Sequence, residues 1–117
     1  MKDNMLITAS KQFAVDSINA CSGIQKSAVA DIIVKQFVRS ATSIGANIHE
    51  GNYAASRADF INKFQIALKE CYETEYWLDI FRDTSIMASE KCDILKASCS
   101  KTRKMLSASI KTAKSSE

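Results

Sequence analysis

Apolar residues recur along the chain at steps of three and four in four separate segments, the spacing that aligns one face of an α-helix. In the first, about residues 4–21, Leu6, Phe13, Ala14, Ile18 and Cys21 share a face. In the second, about 28–51, Val29, Ile33, Phe37, Ala41, Ile44 and Ile48 form a continuous stripe. The third, about 57–84, carries Phe60, Phe64, Ala67, Cys71, Thr74, Leu78 and Phe81 at nearly unbroken heptad spacing, which suits helices crossing at shallow angles. The fourth, about 89–114, turns Cys92, Leu95, Cys99, Thr102, Leu106 and Ile110 inward.

The breaks between these segments carry helix-end chemistry. Gly23 suits a left-handed turn at the close of the first helix, and Ser27 is an N-cap for the second. Gly51 is placed to stop the second, and Ser56 with Asp59 three residues later approximates a capping box. The third helix ends near Thr84 and Ser85, and Ser115 to Glu117 is expected to fray. Four helices of similar length on short links predict an all-α, antiparallel up-down-up-down four-helix bundle, a single domain over residues 1–117.

Composition agrees. The chain has no proline and three glycines among 117 residues, too few punctuators for a fold built on tight turns. No apolar run approaches the roughly 18 to 20 residues that span a bilayer. The start, Met1 to Met5, lacks a signal peptide's apolar stretch, so a cytoplasmic location is expected and no membrane partner. Cys21, Cys71, Cys92 and Cys99 form no C-x-x-C pair. Cys92 and Cys99 share a helical face but lie about 10 Å apart along the axis, beyond disulfide reach, so all four read as small core residues.

Catalytic templates fit poorly. His49 has no ligand partner four residues away, and the carboxylates of the third helix lack the Glu-x-x-His repeats of di-iron bundles. No glycine loop cradles phosphate and no serine sits in a nucleophile elbow. The expectation is no enzyme, no cofactor, no metal and no small-molecule substrate.

Three surface features remain. Ile66, Trp77 and Ile80 fall off the core stripe of the third helix, beside Glu70 and Glu73, and form either a wide core or a subunit interface. Arg39, Ser43, Asn47 and Glu50 line one side of the second helix as a polar ladder, a structural network or a contact surface. Gly45, about 1 kcal/mol worse than alanine inside a helix, points to close packing nearby. The fourth helix holds Lys96, Lys101, Arg103, Lys104, Lys111 and Lys114 with no acidic residue between them, whereas the third carries Glu70, Glu73, Glu75, Asp79 and Asp83. The net charge of +3 is mild, but it is segregated. The basic ridge is either a solvated helix end or a phosphate-binding surface.

Two stretches carry a likeness to known proteins. The run Ser43-Ile44-Gly45-Ala46-Asn47-Ile48-His49-Glu50-Gly51 and the later Ala67-Leu68-Lys69-Glu70-Cys71-Tyr72-Glu73-Thr74-Glu75-Tyr76-Trp77-Leu78 resemble the bacterial 23S rRNA intervening-sequence proteins, in order over about residues 27–110. The resemblance implies a four-helix bundle that assembles as a ring-like homo-oligomer, commonly a pentamer, with no accepted enzymatic activity. It directs the reading toward a non-enzymatic oligomer binding RNA or a ribonucleoprotein through Lys96, Lys101, Arg103, Lys104, Lys111 and Lys114. Ile66, Trp77 and Ile80, with the Arg39/Ser43/Asn47/Glu50 ladder, would hold subunits or helices together. The alternative is a protein-binding scaffold without a nucleic-acid role.

Overall fold

A computed structural model describes residues 4–116; Met1 to Asp3 and Glu117 lie outside the described residues. Helix α1 spans Asn4–Ala20, and a single 3-10 turn, Cys21–Gly23, follows it. Helices α2, α3 and α4 span Ala28–Asn52, Arg57–Thr84 and Ser89–Ser115. Each helix packs against its neighbours in the chain and α1 closes on α4, which is the up-down-up-down arrangement. The body is 48 Å long, close to the roughly 42 Å that 28 helical residues provide. No strand occurs among the described residues.

The helix starts follow their caps. Ser27 Oγ accepts the Ala30 N–H at 3.0 Å, and Ser56 Oγ accepts the Asp59 N–H at 3.1 Å, each satisfying a donor that the first turn leaves unpaired. Ser115 is still helical and the Ser116 N–H donates back to Thr112 O at 3.2 Å.

Two glycine expectations are corrected. No glycine has a positive φ; the left-handed position is Ser85, φ 59°, which ends α3. Gly23 instead closes the 3-10 turn, after which extended Ile24 turns its side chain onto the core. Gly51 does not stop α2, which continues to Asn52. A Cβ there would come within 2.7 and 2.8 Å of the Phe64 ring, so the glycine exists to let α3 approach. Gly45 faces Ser10 of α1, but a Cβ there would meet Ser10 at an ordinary 3.4 Å, so the packing does not require glycine as the sequence suggested.

The stripes of α3 and α4 are buried at every expected position, from Phe60 to Phe81 and from Cys92 to Ile110. Phe37 meets Phe81 edge-on at 5.2 Å, and Phe60 lies 4.1 Å from Phe64. Each fully buried phenylalanine or leucine contributes about 1.5–3 kcal/mol of apolar transfer, so this stripe is the main source of stability. Met87, in the α3–α4 connection, is also buried and anchors that turn.

The first two helices differ from expectation at their ends. In α1 the buried face is Leu6, Ser10, Phe13 and Ser17, while Ile18 is 50% exposed and Ala14 only half-buried. Small hydroxyl residues occupy the seam because α1 sits close to α2; Ser10 donates to Ile7 O at 3.3 Å, and Ser17 Oγ has no partner. In α2 Ala30 is buried, whereas Ile33 is only half-buried and Val29 is 64% exposed. Cys71, Cys92 and Cys99 are buried as expected, whereas Cys21 is half-buried.

The two interior glycines of α2 respond differently to a methyl. Gly45→Ala places its Cβ at an ordinary 3.4 Å contact with Ser10 and gains helix propensity, so stability rises by up to about 1 kcal/mol. Gly51→Ala forces the fully buried Phe64 ring to move and loses about 1–3 kcal/mol, offset in part by the same propensity. Urea denaturation of both variants checks the opposite signs.

Candidate functional site

The carboxylates of α3 meet the bases of α4 along their common seam. Arg82 pairs with Asp93, Lys96 Nζ lies 2.6 Å from Asp79 Oδ1, and Arg103 grips Glu75 at 2.6 and 3.4 Å. The last pair is the least exposed, at 22% and 14% of side-chain surface. Arg103 also donates to Ser100 Oγ at 3.1 Å and stands 5.0 Å over the Tyr72 ring, a cation–π contact. Two of the six basic residues of the ridge therefore serve to join helices.

Lys101, Lys104, Lys111 and Lys114 are exposed, and none makes an ion pair among the described residues. At about 100° per residue they sweep from Lys114 beside the α3 seam to Lys101 on the far side of α4 from the core. They extend about 20 Å along the axis. Between Lys111 and Lys114 on one side and Gln65 and Leu68 on the other runs an open groove of about 590 Å³, with Ile110 in its wall.

The polar ladder of α2 lies on the opposite seam of α3. Arg39 donates to Glu73 at 2.5 Å and to Glu70 at 3.5 Å, and Glu50 pairs with Lys63 at 3.2 Å. Asn47 turns back to the Ser43 carbonyl of its own helix at 2.9 Å. Beneath them, the buried Thr74 Oγ1 lies 2.9 Å from Ser40 Oγ and 2.8 Å from the Glu70 carbonyl. Arg39 and Glu50 thus bridge two helices of one chain, while Ser43 and Asn47 stay local.

The indole N–H of Trp77 donates to Glu73 at 3.0 Å, and the ring packs partly against the core. That bond first, and the Arg39 guanidinium after it, hold the Glu73 carboxyl below the usual carboxylate range. Ile80 is half-buried and Ile66 is 37% exposed. Val29 and Ile32, each 64% exposed, lie at the end of α2 that the Ser40–Thr74 register brings alongside Ile80. Residues off the core stripe are hard to assign from periodicity, and Ile32 carried no mark of its own in the sequence.

Hydrogen bonding with Cys71 and burial push the Cys99 thiol far up, so it stays protonated. His49 is exposed and stands 5.1 Å from the Tyr53 ring. Among the described residues no group of His, Cys, Asp and Glu could hold a metal ion, and no helix is long and apolar enough to cross a membrane.

A family model described as 23S rRNA-intervening sequence protein matches residues 2–108, and so takes in α1 as well as the motif-bearing helices. The crystal structure of a protein with unknown function from the S23 ribosomal protein family of Bacteroides thetaiotaomicron VPI-5482 is 44% identical, with a TM-score of 0.86. The alignment covers 95% of this chain and 99% of that one. No curated protein sequence matches the chain.

The Trp77–Glu73–Arg39 contact has a pH signature. A depressed folded pKa means that Glu73 contributes stability above its unfolded pKa and loses it as pH falls through the folded value. Carboxyl NMR titration should place the Glu73 midpoint below the ordinary glutamate range. In Trp77→Phe the midpoint should rise toward it, and the acid-side loss of stability linked to Glu73, which begins at the unchanged unfolded pKa, should be smaller and complete at higher pH.

Proposed function

The chain belongs to the 23S rRNA-intervening sequence protein family, and from that premise we propose that it is a cytoplasmic, non-enzymatic homo-oligomer that binds RNA or a ribonucleoprotein through α4. The observation that carries the reading is the set of four lysines, Lys101, Lys104, Lys111 and Lys114, exposed on one helix and in no ion pair among the described residues. A helix that pairs its other bases and leaves these four in solvent presents phosphates with a row of point charges, each able to release a condensed counterion. Lys96 and Arg103, paired with Asp79 and Glu75, leave the phosphate-binding set and serve the α3–α4 seam.

Self-association has its own support on the other side of the molecule. Val29, Ile32, Ile66, Trp77 and Ile80 place apolar surface on the outer face of the α2–α3 pair, where a lone bundle has nothing to bury it against. A ring of copies, a pentamer by the resemblance drawn from the sequence, would cover this surface and multiply the lysine field.

Binding of a labelled RNA across a salt series tests the first part. The logarithm of affinity should fall with that of salt by about 0.7 per phosphate contacted on a single strand. Lys104→Ala combined with Lys111→Ala should weaken binding and flatten the slope by about two such contacts. Lys96→Ala should leave affinity nearly unchanged. Salt-insensitive or absent binding overturns the RNA reading and favours a protein-binding scaffold. Light scattering tests the second part: Ile32→Asp, at an exposed position that the fold does not need, should lower the mass of the assembly, and Lys104→Ala should not. Trp77→Ala should also lower it. A wild-type monomer at micromolar concentration overturns self-association.

A further inference from the structure

The α3–α4 face carries two aromatic rings that the bundle does not bury. Tyr72 and Tyr76 are each 56% exposed. Four residues apart, they lie on one side of α3 and are displaced by about 6 Å along its axis. Both are held in place: Tyr72 has the Arg103 guanidinium 5.0 Å above its ring, fixed in turn by Glu75, and Tyr76 meets the Trp77 ring edge-on at 5.0 Å. An exposed ring that is already ordered loses little freedom when a second flat group stacks on it.

The rings stand beside the lysine track. Lys104 follows Arg103 directly, and Leu68, one turn before Tyr72, lines the groove that Lys111 and Lys114 border. The nearby carboxylates are already neutralised, Glu75 by Arg103 and Asp79 by Lys96; unpaired Asp83 lies two turns beyond Tyr76. In the register that Arg103–Glu75 and Lys96–Asp79 set, Lys114 and Lys111 come first along the α3–α4 pair, then Lys104 at the level of Tyr72, then Tyr76, with no unpaired carboxylate between them among the described residues.

We infer that this face binds single-stranded RNA, with Tyr72 and Tyr76 as stacking platforms for unpaired bases and Lys104, Lys111 and Lys114 along the phosphates. The inference rests on the RNA-binding reading above and names the form of RNA. Bases in a duplex strand are stacked about 3.4 Å apart and offer no free face to a side chain on a convex helix. Two ring-bearing positions about 6 Å apart along the helix axis suit bases already separated from one another, and stacking on aromatic side chains is sequence-tolerant. A lysine surface meant for an acidic protein segment would not need the rings.

Fluorescence anisotropy with the full chain, using a labelled 20-nucleotide oligouridine and a 20-base-pair RNA duplex, decides the matter. The single strand should bind at least about tenfold tighter, and Tyr72→Ala and Tyr76→Ala should each weaken it by about tenfold while leaving the salt slope unchanged. Tyr72→Phe and Tyr76→Phe should restore binding, and circular dichroism melts should show both alanine variants folded. Equal affinity for strand and duplex, lost on Lys104→Ala with Lys111→Ala but insensitive to the tyrosines, overturns this inference and leaves the phosphate surface standing. Absence of any RNA binding by the wild type overturns both. A fall in assembly mass in Tyr76→Ala moves that ring to the subunit contact and overturns its role as a platform.

Discussion

Helix α3 is the member on which the other contacts depend, because its buried stripe from Phe60 to Phe81 is flanked on both sides by carboxylates. One flank, Glu70 and Glu73, takes Arg39 from α2; the other, Glu75 and Asp79, takes Arg103 and Lys96 from α4. Exposed ion pairs of this kind contribute roughly 0–1 kcal/mol each, far less than the phenylalanines beneath them. Their value lies in register. A stripe of apolar side chains tolerates sliding by a turn, whereas a misplaced row of charges faces like against like.

This division of labour also decides which charges remain outside. The acidic helix pairs with Lys96 and Arg103, and the other lysines in the C-terminal half of α4 make no ion pair among the described residues. A net charge of +3 therefore conceals a nearly neutral seam and a distinctly cationic outer face. The same helix carries both of its neighbouring surfaces, since Trp77 lies toward α2, Tyr72 toward α4 and exposed Tyr76 between them against the Trp77 ring. Association of copies through one side would leave the other free for a polyanion.

Small residues set how closely the helices approach. Gly51 admits the Phe64 ring, and Ser40 and Thr74 share a hydroxyl contact inside the α2–α3 interface. The buried face of α1 alternates Leu6 and Phe13 with Ser10 and Ser17, and the Ser17 hydroxyl has no partner.

By itself the sequence determined the four helices, their caps at Ser27 and Ser56, and the inward faces of α3 and α4, because long heptad-like stripes leave one way for a helix to turn. The family was legible too, in the runs around Asn47 and Trp77. Tertiary structure alone decided that Ser10 and Ser17, not Ile18, line the core, because the burial of a small residue depends on how near its neighbour comes. It alone decided that Gly51 is a packing position, that Lys96 and Arg103 are paired, and that Tyr72 and Tyr76 stand in solvent. Periodicity states which residues share a face of one helix. Only the register between helices states what each of them meets.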